Sequence, residues 1–214
     1  MLPTPDLSHL EPSDYDHVYE PAEDTFLLLD ALEADEHQLS ALGALVSLEI
    51  GSGSGCVSAF IAKILGPSVH ISPHACRCTR STATQNKVTL DPINASFASP
   101  LAQRLARNVD VILFNPPYVP TIPDEASDAQ DARGIAGAWA GGVDGMNITD
   151  VFLERVEELL SDRGRFYLVA IAENDVPAIR ERMLRLYALK SDIVLSRRAG
   201  RELLFVLRFV RLNS

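Results

Sequence analysis

The stretch that decides the fold runs from Ala44 to Leu65 and reads ALVSLEIGSGSGCVSAFIAKIL. An apolar run at 44–50 stops at three alternating glycines, and a second apolar run, helical in character, follows at 56–65. A strand, a glycine turn and a helix in this order open the α/β units that bind nucleotides. The sequence therefore predicts an α/β fold whose first turn is a candidate ligand site.

The same alternation of strand and helix continues on both sides of this unit, which favours a single α/β domain over 19–214. Segment 1–18 is rich in Pro, Asp and Ser, and we expect it to be flexible. Helices are predicted at 21–32, 76–87, 152–160 and 178–186, and strands at 109–114, 165–171, 193–195 and 203–210, the last two as a closing hairpin.

The charge of the chain is unevenly distributed. The 214 residues carry 19 Lys and Arg against 29 Asp and Glu, a net charge of −10. Residues 1–175 account for 10 − 26 = −16, and residues 176–214 for 9 − 3 = +6. Binding of duplex nucleic acid by phosphate neutralisation needs clustered Lys and Arg, so we do not expect it for most of the chain.

The sequence also limits the cellular compartments in which we expect the protein. No run approaches the roughly 18 apolar residues of a membrane span, so we expect no membrane association. The N-terminus lacks the pattern of a signal peptide, and three cysteines are too few for a disulfide framework. We expect a protein of the reducing cytoplasm, with the nucleus as a second compartment.

The glycine turn has a chemical preference. Gly51, Gly53 and Gly55 are spaced G-x-G-x-G, which differs from the G-x-G-x-x-G of dinucleotide folds. Glu49 ends the preceding strand, where its charge repels a pyrophosphate and suits an amine or a sulfonium. The turn therefore favours S-adenosylmethionine over NAD, and the alternative is a tight connection without a ligand.

The second motif is NPPY at Asn115–Tyr118, directly after the buried strand predicted at 109–114. Open α/β sheets bind ligands at this edge. The Asn115 side-chain oxygen and the Pro116 carbonyl can accept both hydrogens of a planar NH2 group, and Tyr118 offers a face for stacking. The motif thus indicates transfer to an amide or amino nitrogen, and the alternative is a proline-stiffened loop.

Four stretches together resemble one family. They are EIGSGSG at 49–55, NPPY at 115–118, YEPAEDTFLLLDAL at 19–32 and AWAGGVDG at 138–145. The chain resembles the eukaryotic HemK-like family, class I S-adenosylmethionine-dependent enzymes that methylate the glutamine of class 1 peptide release factors. The resemblance implies a Rossmann-like sheet, mostly parallel with a C-terminal antiparallel hairpin. It also implies pairing with a small zinc-binding activator subunit.

The resemblance assigns roles to individual residues. Gly141, Gly142, Asp144 and Gly145 match a GGxDG loop near the active site of the family. Trp139 either lines the substrate entrance or packs within a loop. The catalytic residues are predicted to be Asn115, Pro116 and Tyr118. The cofactor residues are predicted to be Thr25, Glu49, Gly51, Gly53, Gly55, Ser96, Phe97 and Asn115. The substrate residues are predicted to be Asn115, Pro117, Tyr118, Trp139 and Gly142, and no metal is expected.

The chain departs from the family pattern after the first glycine-turn helix. The second strand is shorter than in the family, and His70 stands where the family has an Asp for the cofactor ribose. Ser96 stands where an acid for the adenine amine is expected. Either the chain is a non-catalytic binding subunit, or the sequence has lost the strand at an exon boundary. In both cases we expect cofactor affinity below the family norm.

The function predicted is methylation of a release-factor glutamine by the catalytic subunit of a heterodimer. NPPY also occurs in nucleic-acid adenine N6 methyltransferases, and some HemK-like proteins are described as protein lysine methyltransferases, so both stay as alternatives. A pseudoenzyme that binds a partner without catalysis is the third.

Overall fold

The computed structural model describes residues 2–66, 69–72, 76–95, 97–121 and 142–212, with backbone alone for residues 69–72 and Val143. Its strands are β1 Val46–Ile50, β2 Val69–Ser72, β3 Asp91–Pro92, β4 Val109–Phe114, β5 Leu160–Ile171, β6 Leu189–Ala199 and β7 Glu202–Arg211. Its α-helices are α1 Glu23–Ala34, α2 Glu36–Leu42, α3 Cys56–Leu65, α4 Cys76–Asn86, α5 Ala102–Leu105, α6 Asn147–Leu159 and α7 Val176–Tyr187.

Within the described residues the strands form one sheet in the order β3-β2-β1-β4-β5-β7-β6. In this order, each strand from β3 through β2, β1 and β4 to β5 pairs in parallel with its neighbour. Strand β7 lies between β5 and β6 and is antiparallel to both. A mostly parallel sheet that ends in an antiparallel hairpin confirms the predicted fold class. The order in which strands are added to the sheet reverses between β1 and β4, which creates the switch point at which such sheets bind ligands.

The sheet is covered on both faces, as parallel sheets require. Successive residues of β5 point to opposite sides: Phe166 packs in a cluster with Phe152 of α6, and Tyr167 packs in a second cluster with Leu28 of α1. Rings on the first face contact one another, with Phe114 and Phe152 centroids 5.0 Å apart. This alternation gives a three-layer core.

The predicted elements are found, but their ends differ where polar residues continue a strand. The closing hairpin is longer than its apolar runs, because β6 is an edge strand and exposes many of its residues. Strand β5 begins at Leu160 and not at residue 165 as predicted, so it includes the polar stretch SDRG. Val109 pairs with Leu160 and Val111 with Arg165, and the ladder between them is irregular. A turn-like sequence is therefore accommodated as a bulge.

The second strand forms although it is short. Its residues pair with β1 from Val46 to Leu48, and Ile71 and Ser72 pair with β3. No pairing with β2 is present at Glu49 or Ile50 among the described residues. In the part of the chain that the structure describes, no helix is long and apolar enough to cross a membrane.

Candidate active site

The two sequence motifs meet at one edge of the sheet. Ile50, the last residue of β1, is in register with Phe114, the last residue of β4. Gly51 and Asn115 therefore begin neighbouring loops at the carboxyl edge, where a ligand of this fold is expected.

The three glycines of the turn have backbone conformations that other residues rarely adopt. Gly51, Gly53 and Gly55 have φ values of 72°, 50° and 81°. A Cβ on Gly55 would lie 2.8 Å from the Cα of Thr79, so α4 approaches too closely for a side chain. A Cβ on Gly51 would meet no described atom within 4 Å. The turn thus leaves open space beside Gly51, which suits a ligand lying against the backbone.

Glu49 is a buried acid beside this turn. It is 6% exposed, and one carboxylate oxygen accepts a hydrogen bond from the Ser58 hydroxyl in α3. Burial raises the pKa of Glu49 to about 7, against the opposing effect of the bond from Ser58. A cationic ligand group nearby would favour the carboxylate and lower this pKa. Glu49 is thus a buried acid that an amine or a sulfonium could pair with, and the preference for such a group stays a prediction.

Asn115 has one amide end bound and the other end free. Its Nδ2 donates to Oδ2 of Asp24 at 2.9 Å. A carboxylate can only accept, so this bond defines which end of the amide is the nitrogen. The Oδ1 is buried and has no partner among the described residues. A buried acceptor without a partner is costly, and here it is available to an incoming N–H donor.

Asp24 is a site residue that the sequence analysis did not find. It lies in the first turn of α1, is 3% exposed, and accepts hydrogen bonds from the backbone N–H of Thr25 at 2.8 Å and the hydroxyl of Tyr19 at 3.2 Å. Acids in the first turn of a helix commonly supply only charge, and the position of Asp24 in α1 favours that interpretation from sequence alone. Its position within YEPAEDT, one of the four family-like stretches, is the sequence signal that could have identified it.

Tyr118 lies beside this carboxylate. It is 8% exposed and packs with the cluster on the α1 side of the sheet. Burial, with a further effect from Asp24, raises the pKa of the Tyr118 hydroxyl, and the same causes raise that of Tyr19. Both phenols therefore stay protonated and able to donate. Thr25, predicted at the cofactor, is also buried and adjoins Asp24.

The other predicted site residues lie in different surroundings. Phe97 has a φ of 45° and stacks on Phe152, with ring centroids 5.9 Å apart. A Cβ on Gly142 would lie 2.1 Å from Nδ2 of Asn147, so this glycine is explained by its neighbour in α6. Pro116 is buried and Pro117 half-buried within the NPPY loop. Ser96, Trp139 and Gly141 lie outside the described residues.

The site lacks an acid where the ribose of a nucleotide ligand is expected. Rossmann-type folds place an Asp or Glu about 20 residues after the glycine turn, at the end of the second strand. Residues 50–90 of this chain contain neither Asp nor Glu. His70 is opposite Ser47 in the sheet, and Ser72 is the last residue of β2. Glu49 thus fits an aminoacyl sulfonium beside the turn, whereas residues 50–90 offer no carboxylate to the ribose hydroxyls.

Two contacts fix α1, which carries Thr25 and Asp24, against the sheet. Asp35, directly after α1, accepts from the Tyr167 hydroxyl at 2.7 Å and from Nη1 of Arg208 at 2.7 and 2.8 Å. Arg197 of β6 forms an ion pair with Asp30 of α1. Part of the basic charge of the C-terminal segment is therefore neutralised inside the chain. Among the described residues no cluster of His, Cys, Asp and Glu could hold a metal ion.

Comparison with known proteins identifies close relatives. No family model matches the sequence. The chain is 45% identical to human "Methyltransferase HEMK2" over 213 residues, which cover 97% of this chain and 96% of the human protein. It is 41% identical over 233 residues to the "eRF1 methyltransferase catalytic subunit mtq2" of Schizosaccharomyces pombe, covering 100% and 98% of the two chains.

The fold is also found among solved structures. Mtq2 from E. cuniculi, solved as an Mtq2–Trm112 complex described as responsible for methylation of the translation termination factor eRF1, matches with a TM-score of 0.65. The match covers 91% of this chain and 99% of that one at 24% identity.

Proposed function

We propose, since the chain belongs to the HEMK2/Mtq2 family of methyltransferases, that it methylates a glutamine side-chain amide of the release factor eRF1. The family makes the chain a methyltransferase, and the sheet order is that of a class I enzyme. The target is proposed from the site and from the name of the fission yeast relative.

We propose S-adenosylmethionine as the methyl donor. This cofactor supplies an electrophilic methyl group on a sulfonium. The Gly51–Gly55 turn, Glu49 and Thr25 would hold its aminoacyl end, because the open backbone at Gly51 and the buried acid at Glu49 suit a cationic group. The ribose would be held without a carboxylate from the second strand.

The free Oδ1 of Asn115 is the observation that carries the choice of an amide target. Asp24 holds Nδ2, so Oδ1 is fixed as an acceptor before the target enters. A planar NH2 group can donate one hydrogen to this Oδ1 and the other to the Pro116 carbonyl. Because positive charge develops on the target nitrogen during transfer, both bonds strengthen in the transition state. Catalysis then consists of positioning and electrostatic stabilisation.

We further propose that the active form is a heterodimer with a small Trm112-type subunit. The E. cuniculi relative was solved in such a complex, and the sequence resemblance implies that this subunit binds zinc. The partner could bind at the edge of the sheet that β3 forms. This strand is only two residues long, so among the described residues most of that edge is open to pairing.

The test is a methylation assay of the chain co-expressed with a Trm112-type partner. With S-adenosylmethionine and eRF1 we expect mass spectrometry to find one methyl group on a glutamine side chain. Asn115→Ala should reduce the rate at least about 100-fold, as loss of one transition-state hydrogen bond does in other enzymes. Asn108→Ala is the matched control, because Asn108 is an exposed asparagine away from the NPPY loop.

The same assay separates the alternatives. Replacing the target glutamine of eRF1 by glutamate should abolish incorporation if the proposal is correct. Methylation of an adenine-containing oligonucleotide or of a lysine peptide, with eRF1 unmodified, would contradict it. Transfer that is absent with every acceptor, while the chain still binds the Trm112-type subunit, would identify a non-catalytic binding subunit.

A further inference from the structure

We infer that Asn174 is a positioning residue for methyl transfer, which holds the NPPY loop against the turn at Val143–Gly145. It follows β5, in the short 3-10 helix Ala172–Asn174, and is 3% exposed. The inference rests on the proposed function for its kinetic part and on hydrogen bonds of the described residues for its structural part.

The three side-chain bonds of Asn174 join three segments. Its Oδ1 accepts from the backbone N–H of Ile171 at 2.8 Å. Its Nδ2 donates to the Tyr118 carbonyl and to the Asp144 carbonyl, each at 3.0 Å. Both hydrogens of the amide are thus used, and one buried side chain connects β5, the NPPY loop and the Val143–Gly145 turn. Such a fully satisfied buried network specifies one arrangement of its members.

Gly145 shows how closely these segments approach. A Cβ at this position would lie 1.9 Å from the Tyr118 carbonyl oxygen and 2.6 Å from Nδ2 of Asn174. A backbone hydrogen bond closes the turn itself: the Gly145 N–H donates to the Gly142 carbonyl at 2.9 Å. The Tyr118 carbonyl is therefore fixed from two sides, by a hydrogen bond and by close packing.

This arrangement has a consequence for the target. Asn174 engages the Tyr118 carbonyl, while the Asn115 Oδ1 on the same loop has no partner among the described residues. This Oδ1 and the Pro116 carbonyl are the two acceptors that the proposed function assigns to the target NH2 group. A shift of the loop would move both acceptors together. Misplacement by about 1 Å can cost about 100-fold in rate, so Asn174 controls the rate without contacting the target.

Asn174→Asp tests the donor, because the variant keeps the oxygen that accepts from Ile171 and puts a second carboxyl oxygen where the NH2 donates to two carbonyls. We expect kcat to fall about 10- to 100-fold. The Kd for S-adenosylmethionine should change by less than about threefold, because Asn174 bonds to the loops that hold the target nitrogen. Asn108→Asp is the matched control, since Asn108 also donates to a backbone carbonyl, that of Ala106, but on the exposed surface.

Hydrogen exchange gives a readout that does not depend on activity. The amides of Thr121 and Gly145 both donate to the Gly142 carbonyl. In Asn174→Asp we expect them to exchange about tenfold faster, the scale of one lost hydrogen bond, while the Ile171 amide stays protected. Unchanged exchange at Thr121 and Gly145 overturns the inference, whether or not eRF1 is methylated.

If Asn174→Asp does not fold, Gly145→Ala tests the same contact from the other side. Its new methyl group must displace the Tyr118 carbonyl, so kcat should fall while cofactor binding is kept. Gly43→Ala is its control, because Gly43 has a φ of 63° against 70° at Gly145, and a Cβ there meets no described atom within 4 Å. Equal kcat in the two glycine variants, or a kcat of Asn174→Asp like that of the unmodified chain, contradicts a positioning role.

Discussion

The Nδ2 of Asn115 donates to Oδ2 of Asp24 at 2.9 Å, a contact between residues 91 positions apart in the chain. It joins the first turn of α1 to the loop after β4, and it fixes the orientation of the one amide that follows the central strand. The chemistry of the NPPY motif therefore depends on a residue outside the motif.

Asp24→Asn should lower kcat about 100-fold with little change in the Kd for S-adenosylmethionine. An amide at position 24 can donate as well as accept, so Asn115 would no longer hold one orientation. Steady-state kinetics and calorimetry on the heterodimer measure both quantities. Asp16→Asn, at an exposed position before α1, should leave kcat unchanged, and an equal loss in the two variants would contradict a specific role of Asp24.

Glu49 should make stability fall as the pH rises. The pKa of Glu49 is raised from 4.5 to about 7 in the folded chain, so between these values the folded protein keeps a proton that the unfolded chain has lost. The free energy of unfolding therefore decreases through this window and stays lower above it. Glu49→Gln should be more stable than the unmodified chain by up to about 3 kcal/mol at pH 8, and by little at pH 5.

Urea unfolding at pH 5, 6, 7 and 8 measures this dependence. Glu154→Gln, an exposed position on α6, is the control and should not alter the pH profile. A Glu49→Gln variant whose advantage is the same at every pH would show that Glu49 is not protonated near pH 7.

Cofactor binding should also depend on Glu49 and on pH. A cationic group beside Glu49 favours its carboxylate, so the affinity for S-adenosylmethionine should increase as the pH rises through about 7. Calorimetry at several pH values measures this increase, and Glu49→Gln should remove most of it. The same pH dependence in Glu49→Gln would assign the effect to the ionisation of the cofactor itself.

The missing ribose acid should weaken cofactor binding relative to the human relative measured under the same conditions. Ser72 ends β2, so Ser72→Asp should raise the affinity about tenfold through charge-assisted bonds to the ribose. His70→Asp should raise it less, because His70 is opposite Ser47 and farther from the carboxyl edge. Micromolar binding by the unmodified chain, unimproved by either change, would contradict this prediction.

The buried cluster of Asp35, Tyr167 and Arg208 should be a large contributor to stability. Asp35→Ala leaves the Arg208 charge, whose side chain is 17% exposed, without its main partner. We expect a loss of about 3 kcal/mol or more in the free energy of unfolding by denaturant. The exposed pair of Arg107 and Asp162 is the comparison, and Asp162→Ala should cost less than about 1 kcal/mol.

The sequence predicted those parts of the fold that depend on local pattern. Buried strands are continuous apolar runs, so β4 is predicted at its observed limits, and the glycine turn lies where its spacing indicates. Strand β6 is underestimated, because an edge strand exposes polar residues and interrupts the apolar run. An apolar run indicates that a strand is buried. The prediction of strand ends fails where exposed residues alternate with buried ones along the same strand.

The candidate site was predicted only in part, because some of its contacts join residues that are far apart in the sequence. Asn115 was found because a motif contains it and a strand precedes it. Asp24 and Asn174 were not, because each acts through a partner distant in sequence. Asp24 at least lies in one of the four family-like stretches, whereas Asn174 lies in none of them. Ser96 and Trp139 stay predictions.

Two hydrogen bonds join Thr121 and Gly142, one between backbone groups and one to a side chain. Thr121 N–H donates to the Gly142 carbonyl at 2.9 Å, and Gly142 N–H donates to the Thr121 hydroxyl at 3.0 Å. These bonds hold the end of the NPPY loop beside the start of the turn at Val143–Gly145, and Asn174 joins the same two segments through Tyr118 and Asp144. The frame around the target is therefore held at two levels, and we expect the residues of both levels to be inherited together.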